Sequence, residues 1–379
     1  MQKKMELGDY LVGYLKKIGV THLFGIPGDL VLHLFHRFAR PRGMKIITLS
    51  HEPGVGFAAD AYARSTGRLG VVCVTYGAGG HNIVNALAGA YAEKVPLLVV
   101  SGGPGEEERK LGTLIHHQAK EIESQFRIFQ ELTCDAAIVD DPRTAPEIID
   151  RVTRSAWLNR RPGYIEIHRD MVQRTVAVPK EILDWDGILP EQTSDKRKVL
   201  EAARDTAENF NRAKKPALIV GIECYRYHLA KEIIELAEKL GAPVFTTVLS
   251  KGAFPMSHPL YMGVHVGPIS PPAIAKRIEE ADLVLSLGTL LTDINLGTQA
   301  PQVTRAKSVW ALNNRVNVSF HTYTEVTLRD FVRALLDSDV KTHKEKVTYH
   351  DNLHGEMDFD EKGPVKVAGI LAELNRHLK

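Results

Sequence analysis

Cysteine is scarce. There are three in 379 residues, Cys73, Cys134 and Cys224, far apart and in no CxxC pair. That excludes a disulfide framework and a cysteine zinc site, and it fits a reducing, cytoplasmic setting. An excess of one charge is also missing: 48 Lys and Arg stand against 46 Asp and Glu, a net charge of +2. This gives no electrostatic ground for nucleic acid or an anionic membrane surface as partner. No apolar run approaches the roughly 18 residues of a membrane span. The opening MQKKMELGDYLVGYLKK is an amphipathic helix pattern without the apolar core of a secretory signal. Also absent are GxxxxGKS/T, a GxGxxG after the first strand, and the GxSxG elbow, so P-loop, Rossmann dehydrogenase and serine hydrolase chemistry lose their main support.

What is present is an ordinary globular composition, 44% hydrophobic and 25% charged. Near-continuous apolar runs at 21–26, 45–51, 70–76, 96–102 and 163–168 read as parallel strands covered on both faces. Helical patterns lie between them at 6–18, 28–38, 54–64, 80–92 and 119–132. A second series follows, with strands at 216–221, 242–248, 282–288 and 308–314 and helices at 228–240, 271–280 and 327–337. The expected fold class is α/β, with two doubly wound parallel-sheet domains. The expected boundaries are a first domain at 1–180, a polar linker at 181–198, a second domain at 199–340, and a polar linker with an amphipathic helix at 341–379. Any site belongs in the loops after the carboxyl ends of the strands.

Several residues in those loops can carry chemistry. Glu52 lies in SHEPGVGFAADAYAR, at a strand tip and the entrance to a helix of small residues; it is either a first-turn carboxylate favoured by the helix dipole or a group aimed into the crevice. GAGG (77–80) after the strand 70–76 is a tight turn or a ligand loop. Asp29 in GIPGD is of the type that caps a helix, here 30–38. His116 and His117 are adjacent, so they cannot share one helix face as a metal pair. His343, His350 and His354 sit in polar sequence and read as solvated.

Taken in order, GIPGD, SHEPGVGFAADAYAR, VTYGAGGHN, VVSGGPG and LIHHQ resemble the pyrimidine-binding domain of thiamine diphosphate-dependent enzymes, and within them the pyruvate and indolepyruvate decarboxylase group. HPLYMGVHVGPIS, EEADLVLSLGTLLTDINLGT and HTYTEVTLRDFVRALL resemble that group's central domain. The resemblance implies that Glu52 hydrogen-bonds N1′ of the cofactor's aminopyrimidine, and that Thr75 and Gly79 contact the same ring. It implies that Asp29, His116 and His117 form a proton relay, and that Cys224 lies near a position where some members carry a regulatory cysteine. Pro268 and Ile269 fall in a loop that can face substrate.

The family's GDG…N pattern, which holds the diphosphate through Mg²⁺, has no counterpart in these residues. The expectation is therefore a split enzyme. A separate polypeptide would carry the diphosphate-binding domain and the Mg²⁺ in an α2β2 assembly, and the product would be an aldehyde from a 2-oxo acid. The alternatives are a carboligase of the acyloin or acetolactate type, and a non-catalytic regulatory subunit that keeps the fold.

Overall fold

The structure is a computed structural model. It describes residues 3–40, 44–112, 114–267, 269–292, 295, 307–345, 347 and 363–377. The chain divides into two compact units, Met1–Gln192 and Thr193–Lys379. Pro268, His350 and His354 lie outside the described residues.

In the first unit, β1 (Lys4–Glu6) pairs antiparallel with β8 (Thr175–Ala177) as a small ribbon. The main sheet contains β2 (His22–Gly25), β3 (Lys45–Ile47), β4 (Gly70–Val74), β5 (Leu97–Gly103), β6 (Asp135–Val139) and β7 (Gly163–His168). All pairings are parallel and the order is β3-β2-β4-β5-β7-β6. Strands β4, β5 and β7 are buried throughout, because helices cover both faces. One face packs on Leu7–Lys17, Leu32–Phe38 and Ala145–Asn159, with Leu11, Leu15, Phe38, Ile149 and Val152 at its centre. The other packs on Glu52–Thr66, Val84–Ala92 and Ser124–Glu131 through Val55, Ala59, Leu87 and Phe129. The chain leaves β2 toward β3, then crosses back over β2 to β4. The order therefore reverses between β2 and β4, and a crevice opens at their carboxyl ends.

Of the elements of this unit that lie outside the pattern read from sequence, two belong to the main layers. β6 (DAAIV) is a half-exposed edge strand rich in alanine. The helix Ala145–Asn159 carries Pro146 in its first turn. There the missing N–H costs no hydrogen bond, so a proline that resembles a breaker is in fact a starter.

The second unit has β9 (Pro216–Val220), β10 (Val244–Thr247), β11 (Tyr261–His265), β12 (Leu283–Leu287), β13 (Ser308–Leu312), β14 (Arg315–Val318) and β15 (His321–Thr324), in the order β11-β10-β9-β12-β13-β14-β15. The sheet is parallel from β11 to β13 and antiparallel from β13 to β15. A wholly parallel sheet was expected. The run 308–314 instead breaks at Asn313-Asn314, where a two-residue connection with Asn314 at φ 70° turns the chain back. The helix Lys196–Arg212 opens inside the segment expected to be linker, because Asp195 accepts hydrogen bonds from the Arg197 and Lys198 amides at 2.9 and 3.2 Å. Its buried face is largely alanine, which weakens the helical signal. At this sheet's own reversal point, between β9 and β12, a Cβ on Gly221 would lie 2.2 Å from the Gly288 carbonyl oxygen, so the two loops meet backbone to backbone. Cys224 is fully buried behind them, its thiol on the Leu287 carbonyl at 3.2 Å, and burial raises its pKa well above the ordinary thiol value. The last described helix is Val367–His377, with Val367, Ile370, Leu371 and Leu374 exposed. Among the described residues, no helix is long and apolar enough to cross a membrane.

Candidate active site

Four segments meet at the crevice of the first unit, the loops after β2, β3 and β4 and the segment between the helices Glu106–Leu111 and Ser124–Glu131 that carries His116 and His117. Glu52 is the first residue of the helix Glu52–Thr66, whose Pro53 sits at the helix start. The helix N-terminus favours its negative charge. Asn82 Nδ2 donates to Glu52 Oε2 at 3.0 Å, which fixes the carboxylate's direction. Asn82 ends the short helix Ala78–Asn82 that follows β4.

The glycines of that turn are required by space as well as by dihedral angle. Gly77 has φ 71°, and a Cβ there would lie 2.2 Å from the His117 carbonyl oxygen. A Cβ on Gly79 would lie 2.9 Å from Thr75 Cγ2 and 3.4 Å from Glu52 Oε1. Gly79 thus lets Thr75 and the Glu52 carboxylate lie close against the backbone of this turn. His81, in the same short helix, has a buried Nε2 with no partner among the described residues, and burial lowers the ring's pKa below its ordinary value.

Asp29 does not cap a helix. Gly28 occupies the cap position of a 3₁₀ turn at Asp29–Val31, and no side-chain cap bond forms. The Asp29 carboxylate is turned instead to two partners. His116 Nε2 lies 2.5 Å from Oδ2, and the Thr75 hydroxyl donates to Oδ1 at 3.3 Å. Thr75 Oγ1 also accepts the Leu30 amide at 3.4 Å. The rings of His116 and His117 meet edge to face at 5.1 Å. His117 is held at φ 65°, a left-handed conformation that costs a non-glycine residue about 1–2 kcal/mol and brings its carbonyl against Gly77. His116, His117, Asp29, Thr75, Gly79 and Glu52 therefore form one continuous set, with Asn82 behind Glu52.

Beneath the set runs a buried polar chain that sequence reasoning did not find. Gln125 Oε1 accepts the Gly77 amide at 2.7 Å, and its Nε2 donates to the hydroxyls of Tyr164 (2.8 Å) and Ser101 (3.1 Å). Tyr164 donates to Glu166 Oε2 at 3.0 Å, and Arg109 Nη2 to Glu166 Oε1 at 3.2 Å. Ser101, Gln125, Tyr164 and Glu166 are all buried. Burial pushes the Glu166 carboxyl up to about 7, against the pull of Tyr164 and Arg109. Glu166 and Gln125 stand in apolar or amphipathic runs, where only the burial of a charged or amide group marks them. Asn82 lies inside VTYGAGGHN, one helical turn beyond Gly79, and that spacing was its available signal.

The chain as a whole resembles known proteins. Residues 5–128 match the family described as thiamine pyrophosphate enzyme, N-terminal TPP binding domain, and residues 203–338 match thiamine pyrophosphate enzyme, central domain. The chain belongs to the thiamine pyrophosphate enzyme family. Among curated relatives, it is 37% identical over 369 residues to the indole-3-pyruvate decarboxylase of Azospirillum brasilense, covering 96% of this chain and 66% of that protein. It is 33% identical over 299 residues to the pyruvate decarboxylase of Kluyveromyces lactis, covering 78% and 52%. With pyruvate decarboxylase isozyme 3 of Saccharomyces cerevisiae the identity is 30% over 382 residues, covering 99% and 67%. The chain thus spans about half to two thirds of the length of these relatives.

Proposed function

We propose that this chain supplies the aminopyrimidine-activating half of a thiamine diphosphate-dependent 2-oxo-acid decarboxylase. The observation that carries the reading is the continuous set from His116 through Asp29, Thr75 and Gly79 to Glu52, built at the reversal point of the first sheet. The residues fit the group. Gly79 brings bare backbone close to a carboxylate whose direction Asn82 fixes, and His81 Nε2 is a buried polar atom without a partner among the described residues.

Bound thiamine diphosphate supplies a nucleophilic carbon and an electron sink for the loss of CO₂. Glu52 holds a proton at the ring nitrogen N1′, with Asn82 fixing its direction. Thr75 and the Gly79 backbone bound the place where the ring lies. The Asp29–His116 pair, with His117 against it, would give a proton to the substrate carbon that has lost CO₂ and would take one from the substrate hydroxyl as the aldehyde leaves. That pair favours the decarboxylase reading over a carboligase, which must keep a proton away from the same carbon until a second carbonyl arrives.

The diphosphate and Mg²⁺ are held by residues outside these 379, on a separate polypeptide paired with this chain as α2β2. In support of a covering surface, apolar side chains stand exposed around the site: Leu114 is 79% accessible, Leu32 54% and Phe57 47%. A reaction of this kind needs water excluded.

Calorimetry with thiamine diphosphate and Mg²⁺ tests the arrangement. Weak binding to this chain alone, with tight binding and CO₂ release once a polypeptide carrying the diphosphate-binding domain is added, is the expected result. Tight binding by this chain alone overturns the split. Glu52→Gln should leave the assembly folded and nearly inactive; retained turnover would point to a regulatory subunit. Product assays with and without an acceptor aldehyde separate aldehyde release from carboligation.

A further inference from the structure

Asp29 and His116 come from distant parts of the chain, yet His116 Nε2 stands 2.5 Å from Asp29 Oδ2. Both side chains meet solvent, with 62% of His116 and 42% of Asp29 accessible. An exposed pair of this kind adds little or nothing to stability, so it cannot by itself draw two loops together. The distance between the two groups is set by whatever holds the backbones that carry them.

Those backbones meet on Tyr76, just beyond β4. The Tyr76 ring is 2% accessible and packs with Leu30 and Ile115, and with the partly buried Ile122, in a small apolar cluster separate from the cores on the two faces of the sheet. Leu30 adjoins Asp29, and Ile115 adjoins His116. The Tyr76 hydroxyl donates to the Ile122 carbonyl at 2.9 Å, beyond the histidines in the same segment. The histidine turn is closed locally. The Gln118 amide donates to the Ile115 carbonyl at 2.9 Å, and Gln118 Oε1 accepts the Ile115 amide at 3.2 Å. His116 and His117 therefore follow Ile115.

The neighbours of Tyr76 touch the same two segments. The Thr75 hydroxyl reaches Asp29 Oδ1 and accepts the Leu30 amide, and Gly77 lies against the His117 carbonyl. The Asp29 side also has a brace of its own, since a Cβ on Gly102 of β5 would lie 2.2 Å from the Leu30 carbonyl oxygen. What remains to be located is the histidine side, and the Tyr76 ring is the group packed against both Leu30 and Ile115.

We propose that Tyr76 is a positioning residue, whose ring is the wedge between Leu30 and Ile115 that sets the distance from Asp29 to His116. Its effect on turnover rests on the decarboxylase reading of that pair; the distance itself does not. A misplacement of about 1 Å can cost about a hundredfold in rate.

NMR on the intact chain with ring-labelled histidine tests the placement, with the His116 signals identified from His116→Gln. Asp29→Asn moves those signals by removing the charged acceptor. Tyr76→Leu should move them most of the way to the same positions, and should add nothing in the double variant with Asp29→Asn. Tyr76→Phe, which keeps the ring, should leave them where the wild type has them. Ile115→Ala removes the facing contact and should act as Tyr76→Leu does. It changes a turn rather than the end of a strand, so it decides the matter if melting curves show that the leucine variant does not fold. A loss of stability alone moves none of these signals below the melting transition. The proposal is overturned if Tyr76→Leu and Ile115→Ala leave the His116 signals in place, or if Tyr76→Phe moves them as far as leucine does. With the polypeptide that carries the diphosphate-binding domain added, and pyruvate or indole-3-pyruvate as probe, Asp29→Asn and Tyr76→Leu should each lower kcat by about tenfold or more, and the double variant no further. Full turnover in Asp29→Asn overturns the decarboxylase reading of the pair, while the NMR result still decides the placement. A slow Asp29→Asn with a fully active Tyr76→Leu overturns the role of Tyr76.

Discussion

Glu166 makes the stability of the first unit depend on pH in an unusual direction. It sits in the middle of β7 with no accessible surface, between the Tyr164 hydroxyl and Arg109, with Glu123 also on Arg109. Its carboxyl titrates at about 7 in the folded chain, against an ordinary value of 4.5. Between those two values the folded chain keeps a proton that the unfolded chain has released. Stability therefore falls as pH rises through that window, and the contribution is flat below about 4.5 and above about 7. At about 1.4 kcal/mol per pH unit, the whole fall amounts to about 3 kcal/mol. His81 and His168 act in the opposite sense. Their lowered values make the unfolded chain the better proton binder, so their contribution grows as pH rises toward 6.5. The wild-type curve is a mixture, and the difference from Glu166→Gln isolates the carboxyl. The glutamine keeps the shape and can accept from Tyr164, but it does not titrate. Urea denaturation at intervals from about pH 5 to 8 should show the wild type losing about 3 kcal/mol relative to the variant, in the transition of the first unit. Parallel curves would refute the reasoning, because they would mean that Arg109 keeps Glu166 ionised in the fold across the whole range.

Three other perturbations probe separate steps. Gly79→Ala places a methyl group 2.9 Å from Thr75 Cγ2 and 3.4 Å from Glu52 Oε1. It should weaken thiamine diphosphate binding by about tenfold, and because Thr75 must give way it should not raise stability, although a helical Gly→Ala change by itself favours the fold by about 0.5–1 kcal/mol; calorimetry and melting curves read the two effects. Gln125→Leu strands the Gly77 amide and should cost about 2 kcal/mol in urea denaturation; a cost near zero would mean that the amide finds another acceptor. Asp195→Ala removes the cap of Lys196–Arg212 and should cost about 1 kcal/mol in the transition of the second unit.

The parts of this molecule that were legible in sequence are those where one physical demand dominates. Strands β4, β5, β7, β9 and β12 are buried on both faces, so they read as unbroken apolar runs. β6, β14 and β15 are edge or near-edge strands that meet solvent on one side, and their alternating or alanine-rich sequences carry a weaker signal. Lys196–Arg212 hides its buried face in Ala202, Ala203 and Ala207, which pack closely but do not stand out as apolar.

The same division runs through the candidate site. Glu52 and Asp29 open a helix and a 3₁₀ turn just beyond strand tips, and His116 and His117 stand in a turn; titratable residues at such places beside glycine-rich segments stand out in sequence. Gln125, Tyr164 and Glu166 stand in a helix and a buried strand, where one polar residue is easily read as a surface position. Their meaning emerges only when three-dimensional packing shows Gln125 bonded to the Gly77 amide and Glu166 closing the chain to Arg109. The left-handed backbone of His117 needs that support. Gly77 admits the His117 carbonyl at 2.2 Å from its missing Cβ, and Gln125 holds the Gly77 amide from the other side of the turn. The segment that carries His116 and His117 thus packs on Gly77, whose amide is held by Gln125, a residue that no sequence motif contains.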